Sequence, residues 1–164
     1  MFIVEPVKKE EATGELKILY KMIEKMIGFI PPHFELFASI DIEDMKDFLN
    51  YNVKMMNHQR IDKDILPFLR LDIAKRECRN YCINFNTQVL KSRGIEDIDV
   101  IPLDEKQITL MKKILKAIYR SNEFTQEDIY ELEKIGFKHK DFFDLLNYAT
   151  NFMAKSKMIE VYTK

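Results

Sequence analysis

Apolar residues return every three or four positions through segment after segment of this chain, and little interrupts them. That period lines up side chains on one face of an α-helix, whereas a half-buried strand needs a period of two. Among 164 residues only four are glycine and five are proline, too few for the many tight turns of an all-β sandwich. Gly28, Gly94 and Gly136 each follow a periodic segment, where a left-handed residue ends a helix at little cost. Pro31, Pro32 and Pro102 stand where new helices can begin, because a first-turn proline forfeits no internal hydrogen bond. The expected fold class is all-α.

Read in order, the first helix runs from about Gly14 to Ile27, with Leu16, Leu19, Ile23, Met26 and Ile27 on its apolar face. A short helix follows the Pro31-Pro32 pair and carries Phe34, Leu36 and Phe37. Asp41 opens a third, with Asp44 completing an imperfect capping box and Met45, Phe48, Leu49, Val53 and Met56 as its stripe. The fourth segment reaches from about Asp62 to Arg93, and Pro67 either marks its first turn or kinks it. A fifth helix spans about Asp104 to Arg120, with Ile108, Met111, Ile114, Leu115 and Ile118 inward. Thr125 with Asp128 opens the sixth, which ends at Gly136; the last runs from about His139 to Tyr162. The weak alternation over 97–103 contains Pro102 and reads as a loop. Connections are short and no linker intervenes, so one domain over 1–164 is expected.

Charge narrows the function classes. The 26 Lys and Arg nearly cancel the 27 Asp and Glu, leaving no general pull toward nucleic acid or an anionic membrane. No run approaches the roughly 20 apolar residues that a membrane span needs, and the opening residues lack the charge-then-apolar order of a secretory signal. A cytoplasmic location is the expectation. Two cysteines four residues apart close too small a loop to staple a fold; if they matter, they matter through reactivity.

Leu71, Ala74, Cys78, Cys82, Phe85 and Val89 recur at helical spacing. The plain reading is a core stripe with both thiols packed, free cysteine being among the most buried residue types. Thiol chemistry would require a thiolate, raised by a nearby base, a cation or a helix N-terminus. Arg76 and Arg79 flank Cys78 and lend charge if they face it; Asn86, one turn beyond Cys82, hydrogen-bonds but accepts no proton. A Cys78–Cys82 disulfide within a regular helix would require local unwinding, because Cβ atoms four residues apart point in parallel.

The stretch Tyr81-Cys82-Ile83-Asn84-Phe85-Asn86-Thr87, followed by Gly94, resembles the core of the AhpD-like alkylhydroperoxidase and carboxymuconolactone decarboxylase family. That pattern reads Cys-x-Tyr-Cys-x-x-x-His, with a glycine eight residues after the histidine and a glutamate twelve before the first cysteine. The lead-in from Ala12-Thr13-Gly14-Glu15 to Gly28-Phe29-Ile30-Pro31, and the C-terminal pair beginning at Phe124, are similar to the family's as well. The resemblance implies a helical bundle of about six or seven helices, assembly as a homo-oligomer (trimer or hexamer), and paired thiols that reduce a peroxide or disulfide while Glu and His manage protons. Carried over, Cys82 matches the second cysteine. The first-cysteine position falls on Arg79, with Cys78 displaced by one; the histidine position falls on Asn86 and the glutamate position on Pro67.

Two function classes follow. One is a thiol-dependent antioxidant enzyme, a peroxidase or oxidoreductase, with Cys82, its resolving partner Cys78, and Asn86 as candidate catalytic residues and no cofactor. The other is a catalytically degenerate, oligomeric binding or structural module. A third reading, raised by the resemblance, is a lyase acting on a small-molecule substrate, or a ligand-binding pocket, near Asn86 and His33. His33, His58 and His139 show no metal-ligand spacing, and a zinc site from Cys78 and Cys82 has only two ligands in view. Lys112, Lys113 and Lys116 read as the solvated side of the fifth helix. The methionines fit core or interface packing.

Overall fold

The computed structural model describes residues 2–98, 100 and 102–163. Within them the chain forms eight α-helices: α1 (Gly14–Ile27), α2 (Pro32–Ile40), α3 (Ile42–Met56), α4 (Ile65–Arg76), α5 (Asn80–Ser92), α6 (Glu105–Tyr119), α7 (Gln126–Lys134) and α8 (His139–Tyr162), with a single 3-10 turn at Ser121–Glu123. The β pairing among the described residues is one isolated antiparallel bridge, Phe2 to Thr163. Of the loop expected over 97–103, Asp99 and Ile101 lie outside the described residues, and the others belong to no helix or strand.

Four of the eight helix starts, those of α3, α6, α7 and α8, are set by carboxylates that take up otherwise unpaired N–H groups. Asp41 accepts from the amides of Glu43 (2.9 Å) and Asp44 (3.2 Å) to open α3. The Asp44 carboxylate does not close a capping box; it accepts from Lys155 Nζ on α8 at 2.6 and 2.8 Å instead. Asp128 and Asp141 reach back to the amides of Thr125 (2.8 Å) and Lys138 (2.7 Å) at the starts of α7 and α8. Pro67 is the third residue of α4, inside the first turn, and does not kink it.

The segment expected over 62–93 is broken into α4 and α5, and Cys78 is the break. Its φ is +54°, the only left-handed non-glycine among the described residues. The Arg79 amide donates to Ala74 O at 2.9 Å and the Cys78 amide to Lys75 O at 3.2 Å, the paired bonds of a Schellman stop. The same pair recurs at the end of α5 (Ile95 to Leu90, Gly94 to Lys91) and of α7 (Phe137 to Leu132, Gly136 to Glu133). There glycine holds the left-handed position, at φ +79° and +100°. At α4 a cysteine holds it, so the usual glycine signal is missing and the apolar stripe runs through the stop unmarked.

Two apolar clusters result. The larger joins α4, α5, α6, α7 and most of α8 around Ile65, Leu69, Ile73, Leu90, Leu110, Ile114 and Leu145. The smaller joins α1, α2 and α3 with Ile159 near the end of α8, around Tyr20, Ile23, Leu36, Met45 and Leu49. Tyr81 at the start of α5 packs against both. The helix α8 lies along α3, α4, α6 and α7, and so bridges the two clusters. On α6, Lys112 is exposed as expected, but Lys113 and Lys116 are not: both are partly buried and donate to Asp128, at 2.6 and 2.8 Å. They neutralise a carboxylate that the α7 cap has drawn out of water.

Candidate functional site

At the junction of the two clusters the helices leave a cavity of about 70 Å³, walled by α1, α2, α3, α4, α5 and α8. Phe34, Phe48, Phe85, Leu49, Val89 and Ile159 supply much of its apolar wall, and Cys82, Arg70, His33, Asn52 and Tyr148 are the polar groups that bear on its chemistry.

Cys82 is the third residue of α5, counting from Asn80, and is 3% exposed. A first-turn position favours a thiolate, since unpaired N–H groups point that way. Burial outweighs this and pushes the thiol up to about 11, against the pull of Arg79 and Arg70. Arg79 is held by Glu77 at 2.7 Å and Glu160 at 2.5 Å, and both carboxylates push the thiol up further. Arg79, three residues before Cys82, therefore does bear on it electrostatically, although the sequence pattern directed it at Cys78.

Cys78 is exposed, outside both helices, and both thiols are free. The shared core stripe expected for the two cysteines does not exist. The face that α5 buries is Cys82, Asn86, Val89 and Leu90.

Asn86 is fully buried and committed at both ends. Its Nδ2 donates to Cys82 O at 2.8 Å, and its Oδ1 accepts from Arg70 Nε at 2.7 Å. Arg70 Nη1 donates to Tyr148 Oη, and Tyr148 Oη donates to Asn52 Oδ1 at 3.2 Å. One hydrogen-bonded chain thus links α3, α8, α4 and α5 through a mainly apolar cavity, where such networks hold side chains in one arrangement. Sequence reading missed Arg70, Tyr148 and Asn52 as a group; they lie 78 and 96 residues apart, and no local spacing relates them.

His33 reaches α5 through Tyr81. The Tyr81 hydroxyl accepts from the His33 backbone N–H and bonds its Nδ1, both at 3.0 Å. The imidazole sits against the rings of Phe34 and Phe85, each 4.8 Å away between centroids. Burial, helped by the Arg70 charge, lowers its pKa to about 3. It is a neutral imidazole at physiological pH and serves as part of the wall. Pro67, at the position of the family's glutamate, is buried and carries no acid. Among the described residues no three His, Cys, Asp or Glu side chains converge as metal ligands, and no helix is long and apolar enough to cross a membrane.

No family model and no curated protein matches this sequence. Solved structures do match it in shape. A peroxidase-related protein from Silicibacter sp. TM1040 superposes with a TM-score of 0.71 at 16% identity, over 97% of this chain and 85% of that one. A peroxidase-related protein from Ralstonia eutropha JMP134, described as an alkylhydroperoxidase AhpD core, superposes with a TM-score of 0.73 at 16% identity, over 96% of this chain and 88% of that one. With its all-α architecture and with Cys82 and Asn86 on one helix at the junction of its two clusters, this chain has the AhpD-core fold.

Proposed function

We propose that this protein binds a small, mostly apolar molecule in the cavity beside Cys82 and does not turn over peroxides. The observation that carries the reading is the double commitment of Asn86, to Arg70 and to the Cys82 carbonyl. A peroxidatic thiol needs a partner that removes its proton. Here the helix neighbour is an amide, which takes up no proton, the nearby imidazole has its pKa lowered to about 3, and the thiol is pushed up to about 11. At pH 7 such a thiol is ionised in about one molecule in 10⁴. What remains is an apolar cavity with a few fixed polar groups, the usual composition of a ligand site. Titration with butan-1-ol, followed by amide chemical shifts, tests it. Saturable shifts at Phe48, Phe85 and Ile159 are expected; their absence up to the solubility limit would remove the binding reading.

A second reading is a thiol-dependent peroxidase or disulfide oxidoreductase, with Cys82 attacking and Cys78 resolving. It is supported by the first-turn position of Cys82 and by the charges of Arg70 and Arg79, which pull the thiol down. Mass spectrometry after stoichiometric hydroperoxide separates the two: an intramolecular Cys78–Cys82 disulfide supports turnover, and two surviving thiols support the binding protein. In either case assembly of copies is part of the proposal. Ile18 and Met22 lie one turn apart on α1 and are 69% and 42% exposed, a face suited to another copy. Light scattering reads the assembly directly: a trimer or hexamer supports it, and a monomer removes it.

A further inference from the structure

The cavity is lined by three cations, Arg70, Arg93 and Lys155, and by no Asp or Glu among the described residues. Two of the three are neutralised from outside the lining. Lys155 Nζ donates to both oxygens of Asp44, at 2.6 and 2.8 Å, and Arg93 Nη1 donates to Asp64 at 2.5 Å. Among the described residues Arg70 has no carboxylate partner. Its partners are the neutral Asn86 and Tyr148, and its guanidinium stands 5.9 Å from the centre of the Phe85 ring.

A guanidinium carries five N–H donors, and the two bonds to Asn86 and Tyr148 use two of them. Every buried side-chain polar atom among the described residues has a partner. Arg70 Nη2, which makes neither bond, is therefore not a buried atom left without a partner, and Arg70 is a partly buried residue lining the cavity. An unpaired charge beside apolar walls is costly to keep, and an anion that completes it gains a charge-assisted hydrogen bond in a medium of low dielectric.

We infer that the ligand is a short aliphatic monocarboxylate, its carboxylate on Arg70 and its hydrocarbon against Phe85 and Ile159. The inference rests on the binding reading above and names its ligand class. One cation calls for one negative charge: a phosphate near pH 7 would bring more charge than Arg70 alone can balance, with no apolar body for the walls. Size agrees, since about 70 Å³ is several times the roughly 10–15 Å³ that a single water requires, and suits a few carbon atoms. Arg70 also keeps its geometry without the ligand, because Asn86 and Tyr148 hold it, so little ordering accompanies binding.

The test compares sodium butyrate with butan-1-ol on the intact protein at pH 7, by amide chemical-shift titration in low salt. Butyrate is expected to bind about tenfold or more tightly than the alcohol. In Arg70→Met that preference disappears while the alcohol still binds; in Arg70→Lys part of it survives. Equal affinity for acid and alcohol in the wild type overturns the carboxylate inference and leaves the binding reading standing. Binding of neither overturns both. The wild-type comparison decides the matter even where the Arg70 variants fail to fold, and a preference that persists in a folded Arg70→Met also overturns the inference.

Discussion

Arg70 Nε donates to Asn86 Oδ1 at 2.7 Å, tying α4 to α5 at the position where the resembled family carries a histidine. The bond gives the site its character: a cation held by a neutral amide, with donors left over. Asn86→Ala should cost about 1–3 kcal/mol of stability, because it strands the Arg70 Nε. Urea unfolding measures this. Asn86→Asp should instead hand Arg70 a carboxylate of its own and abolish the butyrate preference, which the same shift titration reads.

Cys82 should be slow to alkylate and Cys78 fast. With the Cys82 thiol pushed up to about 11 by burial, labelling at pH 7.5 should modify one thiol per native chain, and peptide mapping should place it at Cys78. The second thiol should appear only on denaturation.

The same shift makes stability depend on alkaline pH. A thiol whose pKa is raised by folding keeps its proton after the unfolded chain has lost its own, near pH 8.5. Its contribution is therefore full below that pH and falls as pH rises toward 11. Tyr119, pushed up to about 12 by burial and then by Glu77, acts in the same direction at higher pH. The urea midpoint should fall between pH 8.5 and 10.5, and Cys82→Ala should flatten that slope.

Cys78→Gly should stabilise the fold by about 1 kcal/mol. A left-handed cysteine carries a steric cost that glycine does not, and φ is +54° here. Cys78→Val should be destabilising, because a branched Cβ crowds that conformation further. Thermal unfolding of the three proteins gives the order Gly, Cys, Val.

At the other end of the pH range, Asp141 should control acid stability. Burial alone would raise its carboxyl, but Arg60 and the Lys138 amide overturn that and hold it below the usual range. Arg60 grips it with two bonds, at 2.6 and 2.9 Å. A carboxyl lowered by folding contributes stability above its unfolded pKa of about 3.9 and loses it as pH falls through the folded value. Asp141→Asn should lower stability at pH 7 by about 2–4 kcal/mol and weaken the dependence below pH 4, as read by urea midpoints.

What was legible in the sequence tracks what is local in the structure. The period of apolar residues placed α1 and α8 at their observed bounds, because burial of one face decides where a helix lies. Gly94 and Gly136 marked their stops because only a left-handed residue closes that pair of hydrogen bonds. Cys78 performs the same closure without the residue type that announces it, so α4 and α5 read as one helix and an exposed thiol read as core. Cys82 and Asn86 were brought together by a spacing of four. Arg70, Tyr148 and Asn52 were not, since their meeting depends on how α3, α4 and α8 pack, and Lys113 and Lys116 looked solvated because Asp128 lies on another helix.

The most direct measurement for the central claim is consumption of an organic hydroperoxide in the presence of a dithiol, comparing wild type with Cys82→Ser. A site whose thiol has no base should give equal, background-level rates for the two proteins. Turnover in the wild type that disappears in a folded Cys82→Ser would contradict it.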